Sequence, residues 1–542
     1  IMSLEGRISS LCHRGLIAMS EETWATIAQL DAVTASVQAN ADAIMSLEGV
    51  VSTNANDADA AWLILCGALV FFMQAGFAML EAGIVHPKNM TNILFKNICD
   101  ASIAAICFWL VGYGFAYGDS EGGFIGKTNF GLDLIYNGVG EGGSDGWHGW
   151  FFQWAFTGAC ATIVAGSVAE RTTISAYFIY SVVLSSFIYP VIVHWVWGSG
   201  WLSAWGALNG PIFSGNPAMS NGFVDFAGSG VVHMVGGWCG LMGAIIVGPR
   251  IGRFDPDTGK VNELYSGNSA LQALGTFILW FGWYGFNCGS TLAMSGGMGN
   301  IAGKVAVNTT ISAACATMTS VFLGYAIEGH WDISMGLNGA LAGLVSITAP
   351  CPVVDPWMAF IIGFVAACVL HAGHYLILMA KIDDPCDACV VHGFCGVWGC
   401  WAVGIFCTDK NIMYGGYPGG NDACGRAEQF GVQIVGTIVI IVWVVFTGGL
   451  LFLGISYTVG MRVSSDTEEV GMDASEHGFF DELDRNKAAP PTAAPTAPHQ
   501  QAQVQMMPLQ PQMVAYPQVQ QQQYGQMAYA QPQYAQTMQY AQ

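Results

Sequence analysis

Eleven apolar stretches, each about as long as a membrane-spanning helix, lie between residues 60 and 459 of the 542-residue chain. A helix needs about 20 apolar residues to cross a bilayer. The stretches are 60–85, 92–116, 148–169, 174–196, 225–248, 268–289, 305–327, 334–350, 356–380, 390–408 and 430–459. Charged residues make up 10 % of the chain, too few to cover a soluble body of this size. The sequence therefore predicts an all-α polytopic membrane protein with eleven transmembrane helices.

Lysine and arginine in the short links between these stretches predict their orientation, because cytoplasmic loops are enriched in positive charge. The links after odd-numbered stretches carry the larger share. They hold Lys88, Arg171, Arg250, Arg253, Lys260 and Lys381, whereas the other links hold Lys127, Lys304, Lys410 and Arg426. The N-terminus is therefore predicted to lie outside and the C-terminus in the cytoplasm.

Composition divides the chain into four predicted segments. Residues 1–59 form an acidic extracellular extension that is partly helical, and residues 60–462 form the membrane domain. Residues 463–487 are a polar cytoplasmic segment, and residues 488–542 are a Gln/Pro/Tyr-rich tail that lacks the apolar side chains needed for a core. In the extension, mostly apolar residues recur every three or four positions. This spacing suits either a solvated amphipathic helix or a short coiled coil.

Cysteine and net charge limit the other function classes. The net charge of −21 argues against nucleic acid as a partner. Cys386 and Cys389 form a single CxxC without a second pair, so no zinc site and no cofactor is expected. Cys407 and Cys424 bracket a polar Gly-rich loop, which leaves open either a disulfide or two free thiols.

Two stretches share one pattern. Asp225 precedes His233 by eight residues, and Asp384 precedes His392 by eight residues. Each histidine follows Val-Val and is followed by glycines four and seven positions later. Five spans in each half would give the halves opposite orientations, which is typical of an inverted 5+5 repeat with the eleventh helix outside it. Chance similarity between two Gly-rich helices is the alternative.

The two histidines lie deep in apolar runs, where an ionisable side chain is costly and usually functional. A histidine whose hydrogen bonds are satisfied in the core is the ordinary alternative, and a symmetric pair favours function. The flanking glycines would let the two helices cross closely enough to bring the rings together. His371 and His374 have no symmetric counterpart and are interpreted as packing residues.

Aromatic residues cluster at the predicted outer ends of three spans. The third begins Phe151-Phe152-Gln153-Trp154-Ala155-Phe156, the fourth ends in His194-Trp195-Val196-Trp197, and the sixth reads WFGWYGFNCGS up to Ser290. Part of this cluster is explained by the aromatic belt of a membrane protein. Several ring faces with one hydroxyl also suit a small cation.

At these residues the chain resembles the ammonium transporter family, which includes the Mep and Rhesus proteins, over about residues 60–480. The motifs that carry the resemblance are FQWAF, ATIVAGSVAERT, HWVWGSGWLS, VDFAGSGVVHMVGG, GWYGFNCGS, DDPCDACVVHGFCG and GMDASEHG. VAERT and GPRIGRF are similar to the plant-like or algal branch. The resemblance implies a homotrimer of eleven-helix protomers in the plasma membrane. Each protomer would carry ammonium or ammonia, and also methylammonium.

The resemblance also implies roles for individual residues. An external cation site would be formed by Phe152, Phe156, Trp197 and Ser290. The gate and pore would be formed by Phe286, Trp283, His233 and His392. Asp225 would support the site without touching the cation, and Ser475 would be a regulatory position for a kinase. Glu81 stands where bacterial members commonly have an aromatic residue.

These residues predict a mechanism for transport rather than an enzyme reaction. The cation would be recruited at the aromatic site and deprotonated near Phe156 and Phe286, and ammonia would pass the two histidines. Net charge transfer is left open. Three rival functions were weighed: a transition-metal carrier, a haem-binding redox enzyme, and an ammonium sensor with little flux.

Overall fold

Long helices build almost all of the chain that is described by a computed structural model. The structure describes residues 20–136, 146–204, 222–264, 267–407 and 426–478, with a few isolated positions before residue 15. Inter-residue contacts divide the chain into Ile1–Asp481 and Glu482–Gln542, and the second unit lies outside the described residues.

The helices follow one another through the chain with one small hairpin between them. Their bounds are α1 Glu21–Ile84, α2 Pro87–Tyr117, α3 Trp147–Val168, α4 Ile174–Val196, α5 Ser229–Val247, α6 Ser269–Gly289, α7 Met298–Glu328, α8 Ile333–Thr348, α9 Pro356–Met379, α10 Cys389–Phe406, α11 Arg426–Thr458, α12 Ser465–Val470 and α13 Met472–His477. Strands β1 (Ser120–Glu121) and β2 (Ile125–Gly126) pair antiparallel, and the short helices Phe130–Leu132 and Asp133–Tyr136 follow them.

Nine of the described helices are long and apolar enough to cross a membrane by length and composition. Helix α8 is a shorter apolar helix of 16 residues, and α6, with 21 residues, is not among the nine. The prediction of an all-α, multi-pass membrane protein is thereby confirmed. The count of eleven spans, the inverted repeat and the orientation of the termini stay predictions.

Local sequence signals set several helix ends. The Asn268 side chain accepts the backbone N–H groups of Ala270 and Leu271 at the start of α6. Asp332 caps α8 in the same way, and Pro356 occupies the first turn of α9, where its missing N–H costs nothing. Gly329 ends α7 with a φ of +79°, a conformation that glycine adopts readily.

Helix α1 is continuous across the predicted boundary between residues 59 and 60. It begins after Ser20, whose hydroxyl accepts the N–H of Thr23. Apolar side chains of the extension, such as Leu30 and Ile44, are more than half exposed. Asp59 accepts bonds from the loop after α6, where the Ser295 hydroxyl lies 2.5 Å from its carboxylate. From Glu21 onward, the extension is therefore an unbroken helical continuation of the first span.

Glycines allow two pairs of helices to pack with their backbones nearly touching. A Cβ atom at Gly275 of α6 would lie 2.3 Å from the backbone nitrogen of Leu80 in α1. A Cβ atom at Gly237 of α5 would lie 2.3 Å from the backbone nitrogen of Gly393 in α10. Only glycine fits at such an approach. The second contact joins the two helices that carry the predicted histidine pair.

The segment after α11 contacts the link between α3 and α4. The N–H of Thr173 donates to the carbonyl of Met461 at 3.0 Å, and the N–H of Val463 donates to the carbonyl of Arg171 at 3.0 Å. These bonds fix where α12 and α13 begin. We call the end of the bundle where α12 and α13 lie the tail end.

Candidate functional site

His233 and His392 meet in the interior of the helix bundle. Each lies on a π-helical turn at the start of its helix, Ser229–Met234 in α5 and Cys389–Phe394 in α10. Their Nδ1 atoms are 3.1 Å apart, and the ring centroids are 5.2 Å apart. A hydrogen bond between two Nδ1 atoms needs one donor and one acceptor, so at least one ring is neutral. π-Helical turns occur frequently at functional sites.

Aromatic rings enclose His233. Trp283 stacks on it with centroids 5.0 Å apart, and Phe286 lies at 5.3 Å. The indole N–H of Trp283 donates to the hydroxyl of Thr348 at 2.9 Å, which fixes the ring. The Nε2 atom of His233 is buried and has no hydrogen-bond partner among the described residues. That nitrogen is therefore available to a polar molecule in the enclosed space.

A line of rings leads from Phe286 to one end of the bundle, which we call the aromatic end. Phe286 and Phe156 have centroids 4.1 Å apart, and Phe156 contacts Phe152 at 4.7 Å. Trp197 meets Phe156 edge-on at 5.9 Å. Trp197 is partly exposed, whereas Phe152 and Phe156 are each 1 % exposed. The rings thus run from the surface to the histidine pair.

Ser290 follows the last turn of α6 at the aromatic end and is partly exposed. Its hydroxyl donates to the carbonyl of Phe286 at 2.8 Å. Because the single proton of the hydroxyl is used in this bond, the oxygen keeps its lone pairs for a donor from outside. Ser290 can therefore accept a hydrogen bond from a cation.

Asp225 is buried and its carboxylate is occupied by backbone groups. One oxygen accepts the N–H of Gly228 at 3.0 Å, and the other accepts those of Gly230 at 2.9 Å and Val231 at 2.8 Å. The indole N–H of Trp197 donates to the Asp225 carbonyl at 2.7 Å. Gly228 has a φ of +112°, and a Cβ there would meet the Trp197 ring at 3.1 Å. Asp225 thus holds both the start of α5 and Trp197 in position.

Asp384 occupies the corresponding place before α10. One of its oxygens accepts the N–H of Cys389 at 2.7 Å and the hydroxyl of Ser167 at 3.1 Å. Its other oxygen is buried without a hydrogen-bond partner among the described residues. The two aspartates therefore share a position but differ in how far they are satisfied.

Charged side chains are concentrated at the tail end. The Arg250 guanidinium donates to both carboxylate oxygens of Asp383, at 2.8 and 2.9 Å, and pairs with Glu170. Burial by itself raises the pKa of Asp383, but the bonds and the charge of Arg250 outweigh it and bring the pKa to about 2. Asp383 is therefore ionised in this ion pair at neutral pH.

The tail contacts the start of α2 through Asp473. Its carboxylate accepts the backbone N–H groups of Thr91 at 2.9 Å and Asn92 at 2.8 Å. The Lys88 ammonium donates to two carbonyls of α12, each at 2.7 Å. Ser475 is exposed, and its hydroxyl donates to the carbonyl of Gly471 at 2.7 Å. A cavity of about 240 Å³ lies between α12 and the helix ends.

The remaining polar candidates lie outside this line of rings. His371 contacts the hydroxyl of Ser320 at 3.0 Å, and His374 pairs with Asp387 at 2.8 Å. Cys386 and Cys389 are free thiols. Within the described ranges, no group of three or more His, Cys, Asp or Glu residues is placed to hold a metal ion.

One thiol of the chain differs from these free cysteines. Cys407 is disulfide-bonded. Its predicted partner, Cys424, lies outside the described residues, so the pairing itself stays a prediction.

Phe77 and Thr348 complete the site and were not predicted. Phe77 of α1 lies against His392 with centroids 6.3 Å apart, on the side of the pair away from Phe286. Both residues lie in mostly apolar stretches, where no local pattern separates a pore-facing residue from a packing residue. Only the arrangement of the helices identifies them.

The chain is similar to ammonium transporters over most of its length. The Ammonium Transporter Family model matches residues 61–482. Ammonium transporter 1 member 1 of Oryza sativa subsp. japonica is 43 % identical over 459 residues, which cover 80 % of this chain and 90 % of that protein. Ammonium transporter 1 member 1 of Arabidopsis thaliana is 42 % identical over 429 residues, which cover 76 % of this chain and 83 % of that protein.

The fold is similar to a solved structure described as a sensor Amt protein. The TM-score is 0.69 and the sequence identity is 34 %. The match covers 78 % of this chain and 99 % of that one.

Proposed function

Because the chain belongs to the Ammonium Transporter Family, we propose that it moves ammonium through a pore lined by an aromatic site and two histidines. It is a multi-pass membrane protein that transports ammonium and is similar to plant members of the family. Its relatives are transporters rather than enzymes. The observation that carries the mechanism is the unbroken line of rings from Trp197 through Phe156 and Phe286 to His233 and His392.

Recruitment of the cation takes place at the aromatic end, which we assign to the outside. The Trp197, Phe152 and Phe156 rings offer π faces, and the Ser290 oxygen offers an acceptor. An aromatic contact with a cation contributes roughly 0.5–1 kcal/mol when exposed and more when desolvated. These contacts replace part of the hydration shell of ammonium. Potassium, which donates no hydrogen bonds, gains less from the Ser290 oxygen.

The cation loses its proton near Phe156 and Phe286 to water at the aromatic end, and net charge crosses the membrane only if that proton is relayed along the histidine pair. Both rings are buried and stand 4.1 Å apart, so they close the route to a hydrated ion. An unpaired charge in such an apolar space costs far more than neutralisation does. Ammonia, which is neutral, passes this constriction.

Ammonia then moves along the histidine pair. The Nδ1–Nδ1 bond uses one donor and one acceptor between the two rings, so the free Nε2 of His233 accepts a hydrogen bond from ammonia when its own Nδ1 donates, and donates one when its Nδ1 accepts. Potassium cannot become neutral and is rejected at this point. Asp225 supports the site from behind, since backbone N–H groups already occupy both of its oxygens.

Single replacements of the two histidines test this mechanism. We expect His233→Ala and His392→Ala to lose ammonium selectivity over potassium in oocyte current recordings with equal concentrations of the two ions. His371→Ala is the matched control, because that histidine is buried but bonded to Ser320. Unchanged selectivity in both pore variants would contradict the role of the pair. Uptake of labelled methylammonium measures transport that carries no current.

Regulation is proposed at the tail. The Asp473 carboxylate docks on the start of α2, and Ser475 is exposed two residues later. Phosphorylation of Ser475 by a kinase adds about −1.5 to −2 charges beside Asp473 and Glu476, which would undock the tail by repulsion. In a homotrimer in the plasma membrane, which we propose as the assembly, this change would reach a neighbouring pore.

A sensor with little flux is the second candidate. Two observations favour it: the similarity to a structure described as a sensor Amt protein, and the contact between the tail and α2. Flux per protomer separates the two functions, since a sensor binds ammonium and moves little of it.

A further inference from the structure

The extension at the start of α1 carries an apolar stripe that no described residue covers. Alternating steps of three and four residues, which are the a and d positions of a heptad repeat, hold mostly aliphatic side chains there. They are Leu30, Val33, Val37, Asn40, Ile44, Leu47, Val51 and Asn54. The six aliphatic side chains are between 53 and 66 % exposed. The stripe therefore has no partner within the described part of the chain.

The stripe stands outside the bilayer. Helix α1 has 64 residues and is about 96 Å long at 1.5 Å per residue, whereas the hydrocarbon core of a membrane is about 30 Å thick. Acidic residues occur along the extension, and no lysine or arginine lies between Glu21 and Asp59. Anionic lipid headgroups attract basic segments, so this acidic helix is not expected to lie on the membrane surface. In a single copy its apolar stripe consequently faces water.

Charged side chains do not oppose one another along this stripe. Asp31 and Asp42 occupy the outer b and f positions of the heptad. The e and g positions that flank the stripe hold mostly small or apolar residues, such as Ala41. Glu48 is an exception at an e position, and in a parallel pair of helices it faces Ala43, the g residue five positions earlier. Two copies can therefore pack along the stripe without placing like charges opposite each other.

The membrane gives copies of this chain the geometry that a coiled coil needs. The heptad positions continue from the extension into the first span at Ala61, Leu65 and Ala68, which are also exposed. This face of α1 therefore points away from its own helix bundle in the span as well. Because every copy crosses the membrane by the same unbroken helix, neighbouring extensions run in the same direction and at the same height.

Two polar positions favour the same register. Asn40 and Asn54 occupy d positions, and a polar side chain at a core position fixes the register of a coiled coil at a cost in stability. With the helices at the same height, each asparagine meets its counterpart in the neighbouring copy, and their amides can donate and accept. A shift by one heptad would place Asn40 against Leu47 and leave its amide without a partner. The membrane and the asparagines thus select one alignment.

The base of the extension is fixed to the membrane domain. The Trp62 indole N–H donates to the Thr291 hydroxyl at 3.1 Å, and the Asp59 carboxylate accepts the N–H of Met294 at 2.7 Å. Both partners lie in the loop that follows Ser290. These bonds hold the extension at a fixed angle to the helix bundle.

We infer that the extensions of neighbouring copies of this chain pack as a parallel, in-register coiled coil outside the membrane, along the stripe from Leu30 to Asn54. The number of helices, three, rests on the proposed homotrimer. The family model begins at residue 61, so this contact lies before the matched domain and adds to the contacts between the membrane domains.

Disulfide crosslinking in membranes tests the contact. Val37→Cys places a thiol in the stripe, and Ala35→Cys, the matched control, places one at the outer f position; both positions are exposed in the single chain. The full chain is expressed in yeast cells that lack their own ammonium uptake, and the isolated membranes are oxidised and run on a non-reducing gel. A disulfide needs Cα atoms about 4.4–6.8 Å apart, so we expect at least roughly tenfold more two-chain product for Val37→Cys than for Ala35→Cys. The parent protein gives the background from its own cysteines.

A second pair of variants measures the stability of the assembly. Ile44→Asp puts a carboxylate into the stripe of every copy, whereas Ser46→Asp puts the same residue at the outer c position. Ile44→Asp should lose its trimer in detergent at a temperature at which the parent and Ser46→Asp keep theirs, as measured by chromatography with light scattering. Both variants should keep the methylammonium uptake of the parent in cells, which shows that the membrane domain folds. This pair also gives an answer if Val37→Cys does not oxidise.

The outcomes are distinct. Two-chain product confined to Val37→Cys, with early loss of the trimer in Ile44→Asp, supports the coiled coil. Equal product in both cysteine variants, a Val37→Cys bond within its own chain or to a different protein, or an Ile44→Asp trimer as stable as that of Ser46→Asp overturns it, while the homotrimer and ammonium transport stand. If the parent protein is a monomer in membranes and in detergent, the homotrimer fails and the coiled coil falls with it.

Discussion

The segments around His233 and His392 share a pattern but differ in their surroundings. Asp225 and Asp384 each precede a π-helical turn, and each accepts a backbone N–H from it. Asp225 has both oxygens occupied, and aromatic rings lie beyond it. Asp384 keeps one oxygen free, and the ion pair of Arg250 with Asp383 lies beyond it.

The difference separates two ways of handling a cation. In the proposed mechanism, ring faces and one hydroxyl at the aromatic end attract ammonium without a formal charge, so that binding stays weak enough for release into the pore. At the tail end, carboxylates and guanidinium groups hold one another and fix the tail. The two helices that carry the histidine pair therefore lie between an uncharged aromatic end and a charged tail end.

Removing the Asp225 carboxylate is expected to have the largest effect. Asp225→Ala leaves three backbone N–H groups without their acceptor, and each costs roughly 1–3 kcal/mol when buried. We expect a loss of several kcal/mol, seen as a lower unfolding temperature in detergent. Asp384→Ala removes fewer bonds and should lose less. An equal loss in both variants would contradict the difference between the two segments.

The second largest effect is expected in the acid sensitivity of the fold, which depends on the Asp383 ion pair at the tail end. The pKa of Asp383 is about 2 in the folded protein, against an ordinary 3.8. The ionised carboxylate therefore makes its full contribution to the free energy of unfolding above about pH 3.8, and this contribution is lost as the pH falls through 2. The shift corresponds to roughly 2 kcal/mol. Asp383→Asn should remove this part of the acid-induced drop in unfolding temperature. A variant that keeps the full pH dependence would assign the drop to other acids.

Changing a ring at the aromatic end is expected to have a moderate effect on transport and none on stability. Trp197→Leu removes a ring face that contributes roughly 0.5–2 kcal/mol to cation binding. The half-saturation concentration for ammonium at the aromatic face should rise about two- to thirtyfold. Phe77→Leu, on the other side of the histidine pair, should leave that value unchanged. Equal shifts in the two variants would mean that the ends are not distinct.

Ser290→Ala should give the smallest effect. The hydroxyl proton already bonds to the carbonyl of Phe286, so the change removes one neutral acceptor for the cation. A contact of this kind contributes about 0.5–1.5 kcal/mol. The half-saturation concentration should rise about two- to tenfold, which is measured beside Trp197→Leu. Ser290→Thr keeps the acceptor and serves as the control.

Much of the membrane domain was predictable from its sequence. Apolar runs of fixed length predict spanning helices, and caps such as Asn268 and Asp332 set their ends. The eight-residue spacing from Asp225 to His233 and from Asp384 to His392 singled out the pair. The binding residues at the aromatic end were predicted from resemblance to a family. Composition alone does not separate an aromatic cation site from the aromatic belt of a membrane protein, because both consist of the same residue types.

What the sequence by itself determined is the presence of the helices, their capped ends and the identity of the histidine pair. These depend on local hydrophobicity and spacing, which a linear pattern contains. Only the tertiary structure decided that Phe77 borders His392, that Thr348 fixes Trp283 and that Glu81 accepts the side-chain amide of Asn97. Each of these contacts joins residues of different helices. The glycines that flank the histidines predict a close crossing of the two helices, and the structure adds that Gly237 meets Gly393 there.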